Sequence, residues 1–160
     1  EEIDFKKMEE KFAKEYLILF RPHYFIANSF DFDKYKGFVY NVANIDDINE
    51  LYIISDILIT DYSSVFFDYA NLKRPMIFFM YDLEHYKNES NGFYIDLNEL
   101  PGPIVETQED LEKSIEDVDF NIGSSKKYKE FNEKYNYLDD GNASKRVIEK
   151  VILEMEKVEK

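Results

Sequence analysis

The feature that most constrains this chain is a repeated unit. A short, unbroken apolar run stops at a polar or turn-forming residue and gives way to helical spacing. Tyr16-Leu17-Ile18-Leu19-Phe20 stops at Arg21-Pro22-His23, and Phe38-Val39-Tyr40, entered through Gly37, stops at Asn41. Ile57-Leu58-Ile59-Thr60 breaks at Asp61-Tyr62-Ser63-Ser64, Met76-Ile77-Phe78-Phe79 runs into Tyr81-Asp82, and Pro101-Gly102-Pro103 turns the chain into Ile104-Val105. Runs that are apolar at every position suit strands buried on both faces, as in parallel sheets.

Helices are expected between these runs. Phe5, Met8 and Phe12 share one helical face at the start of the chain. Asp47 and Glu50 have capping-box spacing, with Ile48, Leu51, Tyr52 and Ser55 on one face after them. Val65-Phe66-Phe67-Asp68-Tyr69-Ala70 reads as a buried helix ended by Lys73-Arg74-Pro75. Thr107 with Asp110 forms an N-cap ahead of Leu111, Ile115 and Val118. Residues 124–160 look helical in two pieces, broken near Asp139-Asp140-Gly141, and Phe93-Tyr94-Ile95 reads as a short extended piece. Strands alternating with helices predict an α/β fold, a doubly wound parallel sheet of the Rossmann-like kind. Ligands of such a fold lie beyond the carboxyl ends of the strands.

Composition narrows the function classes. The 160 residues, 44% apolar and 17% aromatic, suffice for one domain with a real core. There is no cysteine, hence no disulfide framework and no thiolate metal site or nucleophile. No apolar run is long enough to span a bilayer, and the chain opens Glu1-Glu2-Ile3, which fits a piece of a longer protein. With 34 acidic against 20 basic residues, a net charge of −14, binding to nucleic acid or to an anionic membrane is not expected of this domain. The charge is uneven: residues 82–119 hold twelve acids and two bases, whereas 57–81 balance Asp61 and Asp68 against Lys73 and Arg74.

The strand–turn–helix from Thr60 to Asp68 holds the clearest candidates. A helix that starts directly after a strand leaves backbone N–H groups without intrahelical partners, and the dipole adds positive character there. With the hydroxyls of Ser63 and Ser64 beside those donors, the turn suits a phosphate; either serine could instead cap the helix. Asp61 either accepts from ligand hydroxyls and neighbouring amides or closes an Asx-turn. Asp68, inside an apolar helix, is expected to pair with Arg74 or to face the crevice, because an unpaired buried charge costs several kcal/mol. His23, beside Arg21 after the first strand, could hold a diphosphate or protonate a leaving group, or be a satisfied polar residue. His85, between Glu84 and Tyr86 in an acidic loop, is a weaker candidate.

The run from Ser55 through Asp61-Tyr62-Ser63-Ser64 to Ala70, followed by Arg74-Pro75, resembles the CDP-glycerol:polyol glycerophosphotransferases of wall teichoic acid synthesis. The likeness continues through Gly92-Phe93-Tyr94, Pro101-Gly102-Pro103 and Leu138-Asp139-Asp140-Gly141, and covers roughly residues 16–150. Arg21-Pro22-His23 matches the position of that family's histidine after the first strand of this domain. Asn91 stands where the family's pattern has an arginine, so no phosphate contact is assigned there.

The resemblance implies the carboxyl-terminal half of a GT-B two-domain architecture. Residues 1–160 would be a single nucleotide-donor-binding domain, 124–160 its helical segment, with the amino-terminal, acceptor-binding half absent. It implies a donor, CDP-glycerol, whose glycerol phosphate passes to a lipid-linked teichoic acid or capsular acceptor as CMP leaves; CDP-ribitol is the alternative donor. His23 would be catalytic, and Arg21, Thr60, Asp61, Tyr62, Ser63, Ser64 and Asp68 substrate-binding. No metal ligands and no cofactor are expected, and dependence on a divalent metal is left open. The isolated fragment would bind donor without turnover. The full-length enzyme would be cytoplasmic, peripheral at the inner face of the cell membrane. Outside the family, a stand-alone flavodoxin- or receiver-like module is the other reading; a receiver needs clustered acids at the end of its first strand, where Arg21 stands.

Overall fold

The computed structural model describes residues 2–22, 30–85 and 95–152. Helix α1 (Phe5–Phe12) starts at Asp4, whose carboxylate accepts from the Lys6 and Lys7 amides, and it buries Phe5, Met8 and Phe12. Strand β1 (Ile18–Phe20) follows, then a 3-10 turn at Phe32–Tyr35 and strand β2 (Val39–Asn41). Helix α2 (Ile48–Ile54) is capped by Asp47, which accepts from the Asn49 amide. Strand β3 (Leu58–Thr60) leads into helix α3 (Val65–Ala70), and strand β4 (Met76–Phe79) follows. Strand β5 (Ile104–Val105) precedes helix α4 (Gln108–Glu116), where Thr107 accepts from the Asp110 amide as its spacing predicts. Helix α5 (Lys126–Tyr135) and helix α6 (Ala143–Val147), extended by a π-helical turn at Ile148–Ile152, are the two expected pieces, separated around Asp139–Gly141.

Every strand pairing among the described residues is parallel. β1 pairs with β2, with Ile18 opposite Val39, and β4 lies between β3 and β5, with Thr60 opposite Phe78 and Phe79 opposite Val105. The ladder thus runs as a pair and a triplet. Side chains join the two sets: Ile18, Phe20 and Val39 share one apolar cluster with Ile57, Ile77, Phe79 and Val105.

β4 shows why the sheet must be covered on both sides. Successive side chains point to opposite faces. Ile77 and Phe79 enter the cluster roofed by Phe5, Met8 and Phe12 of α1 and by Leu111 and Ile115 of α4. Met76, Phe78 and Met80 enter a second cluster with Tyr52 of α2, Phe66, Tyr69 and Ala70 of α3, and Tyr128 and Phe131 of α5. All four β4 residues are buried, as an unbroken apolar run requires. The result is the expected doubly wound arrangement.

The opposite, amino-terminal edge is tied by Arg74. Its Nη1 donates to the carbonyl oxygens of Ser55 (2.6 Å), Ile53 (2.8 Å) and Tyr52 (3.3 Å), satisfying the end of α2. The Tyr69 hydroxyl donates to the same Ser55 carbonyl, and the Tyr128 hydroxyl to the carbonyl of Arg74. Gly102 is required next to this edge, since a Cβ there would stand 2.0 Å from the Met76 carbonyl oxygen.

Candidate functional site

Parallel strands bring all their carboxyl ends to one edge, so four loops separated in sequence become neighbours. After β1 comes Arg21, exposed, its Nη2 donating to the Ile45 carbonyl in the loop after β2 at 3.3 Å. After β2 the Asn41 side chain accepts from the Ala43 amide, and the Val42 amide donates to the Phe20 carbonyl, holding that loop beside the end of β1. His23 lies outside the described residues, as do Asn91 and Gly92-Phe93-Tyr94.

After β3 the chain makes an Asx-turn: Asp61 Oδ1 accepts from the Ser63 amide at 3.2 Å, the local alternative raised for this residue. Ser64 takes the N-cap position of α3, yet its side chain makes no capping hydrogen bond. Both serines are exposed. Their hydroxyls therefore stand beside the helix start without the capping duty that could have absorbed them. α3 is only six residues long, so the dipole contributes less than a longer helix would, and hydroxyls and amides carry most of the local polarity.

After β4, Asp82 faces this turn. The Tyr62 hydroxyl donates to Asp82 Oδ1 at 2.6 Å, joining the loops that follow two adjacent strands. Burial, and then the bond to Asp82, push the Tyr62 hydroxyl well above its ordinary pKa. Burial also raises Tyr81, with Asp82, Glu2 and Asp61 adding to it. Both phenols therefore keep their protons to higher pH than an ordinary tyrosine.

Two charge expectations are corrected. Asp68 does not pair with Arg74. It is exposed on α3 and carries no burial cost, while Arg74 is committed to carbonyl oxygens at the other edge of the sheet. For the same reason the neutrality of residues 57–81 does not hold in space. Lys73 and Arg74 precede β4, whereas Asp61 and Asp68 follow β3 and Asp82 follows β4. The carboxyl edge therefore keeps three carboxylates, with Arg21 as a described cation among them. Among the described residues no group of three or more His, Cys, Asp or Glu side chains could hold a metal ion.

One buried polar atom was not legible in the sequence. Tyr52 reads from its spacing as a core residue of α2, and it is one, only 7% exposed and packed edge-on against Tyr69. Its hydroxyl, however, is buried without a hydrogen-bond partner. Burial raises its pKa, with Asp68 raising it further and Arg21 lowering it.

A parallel sheet wound on both faces, with hydroxyls, amides and an arginine converging at the carboxyl ends of its strands, defines an α/β domain of the Rossmann-like class. The particular family follows from its sequence: the chain belongs to the CDP-Glycerol:Poly(glycerophosphate) glycerophosphotransferase family, whose model matches residues 1–153. The teichoic acid poly(glycerol phosphate) polymerase of Bacillus subtilis (strain 168) is 42% identical over 154 residues, which span 94% of this chain and 20% of that protein. The teichoic acid poly(ribitol-phosphate) polymerase of Bacillus spizizenii is 33% identical over 159 residues, 98% of this chain and 25% of that one. Among solved structures, a variant of the wall teichoic acid polymerase TagF soaked with CDPG superposes with a TM-score of 0.84 at 36% identity, covering 99% of this chain and 39% of that chain. The chain thus spans well under half the length of these relatives. Among the described residues no helix is long and apolar enough to cross a membrane.

Proposed function

We propose that these 160 residues are the donor-binding domain of a glycerophosphotransferase, and that they hold CDP-glycerol at the carboxyl edge of the sheet. The observation that carries this reading is the turn after β3, where Ser63 and Ser64 are exposed and the Ser64 side chain does not cap its helix. The exposed Ser63 and Ser64 hydroxyls and the backbone of residues 61–64 hold the diphosphate. Arg21 adds the positive charge that offsets the carboxylates of this edge. Thr60 and Tyr62 shape the turn, the latter through its bond to Asp82. Asp61 and Asp68 orient hydroxyls or neighbouring donors.

In the longer protein, an acceptor hydroxyl attacks the β-phosphorus of CDP-glycerol in line with the departing CMP. The new bond joins acceptor oxygen to phosphorus, and the P–O bond to CMP breaks. Such a transfer needs placement and charge stabilisation more than covalent help. His23 binds or protonates the phosphate oxygens as CMP leaves. The base for the acceptor hydroxyl, and the site for the lipid-linked polyol-phosphate acceptor, belong to another half of a GT-B enzyme working at the inner face of the cell membrane. That the chain spans 20% to 39% of its relatives supports such a division.

Glycerol is preferred to ribitol as the polyol because the glycerol-phosphate relative is 42% identical and the ribitol-phosphate relative 33%. Calorimetric titration of the chain with CDP-glycerol, CDP-ribitol and UDP-glucose tests the reading. CDP-glycerol should bind most tightly, and a preference for the UDP-sugar overturns it. In the full-length enzyme, His23→Ala should collapse transfer; near-normal rates would remove its assigned role.

A further inference from the structure

Among the described residues, tyrosines aside, Asn136 is the polar side chain that the fold buries, 9% exposed at the C-cap of α5. Burying an amide costs free energy unless it is hydrogen-bonded, and a leucine would fill similar space without that cost. The Asn136 amide is fully engaged inside the protein. Its Nδ2 donates to the Phe67 carbonyl of α3 at 2.7 Å and to Asn132 Oδ1 at 3.0 Å. Asn132 in turn donates to the Ala70 carbonyl at 3.0 Å.

α3 depends on these bonds. Six residues are too few for a helix to hold itself, so its place is set by what it packs against. Its last turn tightens, because the Asn71 and Leu72 amides donate to the Asp68 and Tyr69 carbonyls, three residues back. The Phe67 carbonyl thereby loses the Asn71 amide it would accept in a regular α-helix, and Asn136 supplies the donor. The Phe67 ring is gripped by the same helix, stacked on Phe131 of α5 with centroids 5.7 Å apart. Just after α5, Asp139 Oδ2 accepts from the Asn71 side chain at 3.0 Å, so the Leu138–Gly141 segment also closes on the end of α3.

One more bond carries this grip to the turn after β3. The Phe67 amide donates to the Ser64 carbonyl at 3.1 Å, so two hydrogen bonds in line join α5 to the N-cap of α3. The Ser64 side chain makes no capping bond, and its direction follows from where this backbone is held. We propose that Asn136 is a positioning residue for the donor: through Phe67 it fixes the backbone of Ser64, and hence where the Ser64 hydroxyl meets the diphosphate. This rests on the reading of that turn as the CDP-glycerol site.

The test is a double-mutant cycle of Asn136→Leu and Ser64→Ala in the 160-residue chain, with calorimetric titration of CDP-glycerol and urea denaturation of each variant. Asn136→Leu should unfold earlier, as the loss of any buried bond would make it. Under conditions where its denaturation curve shows it folded, it should also bind CDP-glycerol about fivefold more weakly, which a purely structural bond does not cause. Ser64→Ala should weaken binding about tenfold, and the double variant about tenfold rather than about fiftyfold, because Asn136 acts through Ser64. Parent affinity in either single variant overturns the proposal, as do losses that multiply in the double variant. If Asn136→Leu does not fold, the parent decides. Saturating CDP-glycerol should then slow amide exchange at Phe67 about fivefold, since coupling between two sites is reciprocal, and unchanged exchange overturns the proposal. A parent chain that does not bind CDP-glycerol removes the donor-site reading and this proposal with it, a result distinct from the others.

Discussion

The Tyr62 hydroxyl donates to the Asp82 carboxylate at 2.6 Å, linking the turn after β3 to the loop after β4. The two loops are neighbours only because their strands are parallel and adjacent, so this bond fixes the floor of the carboxyl edge rather than either loop alone. A phenol bound to a carboxylate is a charge-assisted pair, stronger than a neutral one. Tyr62→Phe should lower unfolding stability by about 1–2 kcal/mol, measured by urea denaturation. It should also loosen the Ser63–Ser64 turn, seen as faster amide exchange there. An unchanged midpoint with unchanged exchange would show that the bond does not hold the edge together.

Arg74 makes the complementary prediction at the far edge. Its bonds to the Ser55, Ile53 and Tyr52 carbonyls close the end of α2. Arg74→Ala should destabilise the domain by about 2–3 kcal/mol, since hydrogen bonds from a charged group are the stronger kind. Donor affinity under native conditions should stay the same, because Arg74 and the carbonyl oxygens it binds lie at the amino-terminal edge. A large fall in affinity without loss of stability would place Arg74 in the site after all.

The buried phenols set the alkaline limit of stability. Burial pushes Tyr69 up to about 12, although Arg74 pulls it down, and Tyr62 and Tyr128 are also raised, chiefly by burial. In the unfolded chain these groups lose their protons near pH 10. A raised folded pKa gives stability that is fully present below that value and is lost as pH rises through the folded pKa. Stability should therefore hold up to about pH 10 and fall steadily toward pH 12. Tyrosinate absorbance should show a late-ionising class that appears together with loss of the circular dichroism signal. Ionisation of all the tyrosines before any unfolding would contradict the burial of these three.

What the sequence disclosed follows from how local each feature is. The unbroken run Met76–Phe79 predicts a strand buried on both sides, and its side chains do divide between two cores. The Thr107–Asp110 cap was readable because two residues three positions apart decide it. Which alternative held for Asp68 was not legible because a six-residue helix has fewer than two turns, too few for spacing to show which face is outward. The charge balance of residues 57–81 misled for a different reason: a linear sum ignores that Arg74 and Asp61 lie at opposite ends of neighbouring strands. Tyr52 showed its apolar face but not that its hydroxyl would be buried without a partner, which only the packing of the folded chain decides.

Ser64 separates a structural from a ligand-binding role most cleanly. A serine whose side chain caps a helix typically contributes about 1 kcal/mol, lost on replacement by alanine. Ser64 sits at the N-cap of α3 without making that bond. Ser64→Ala should therefore change unfolding stability by no more than about 0.5 kcal/mol, as for an ordinary surface substitution. If the hydroxyl holds the donor's diphosphate, the same variant should bind CDP-glycerol about tenfold more weakly, close to the worth of one hydrogen bond to a charged group. Calorimetric titration and urea denaturation of the one variant decide the matter together. Stability lost with affinity intact would make Ser64 a cap in solution, and the diphosphate would then rest on Ser63, Arg21 and the turn's amides.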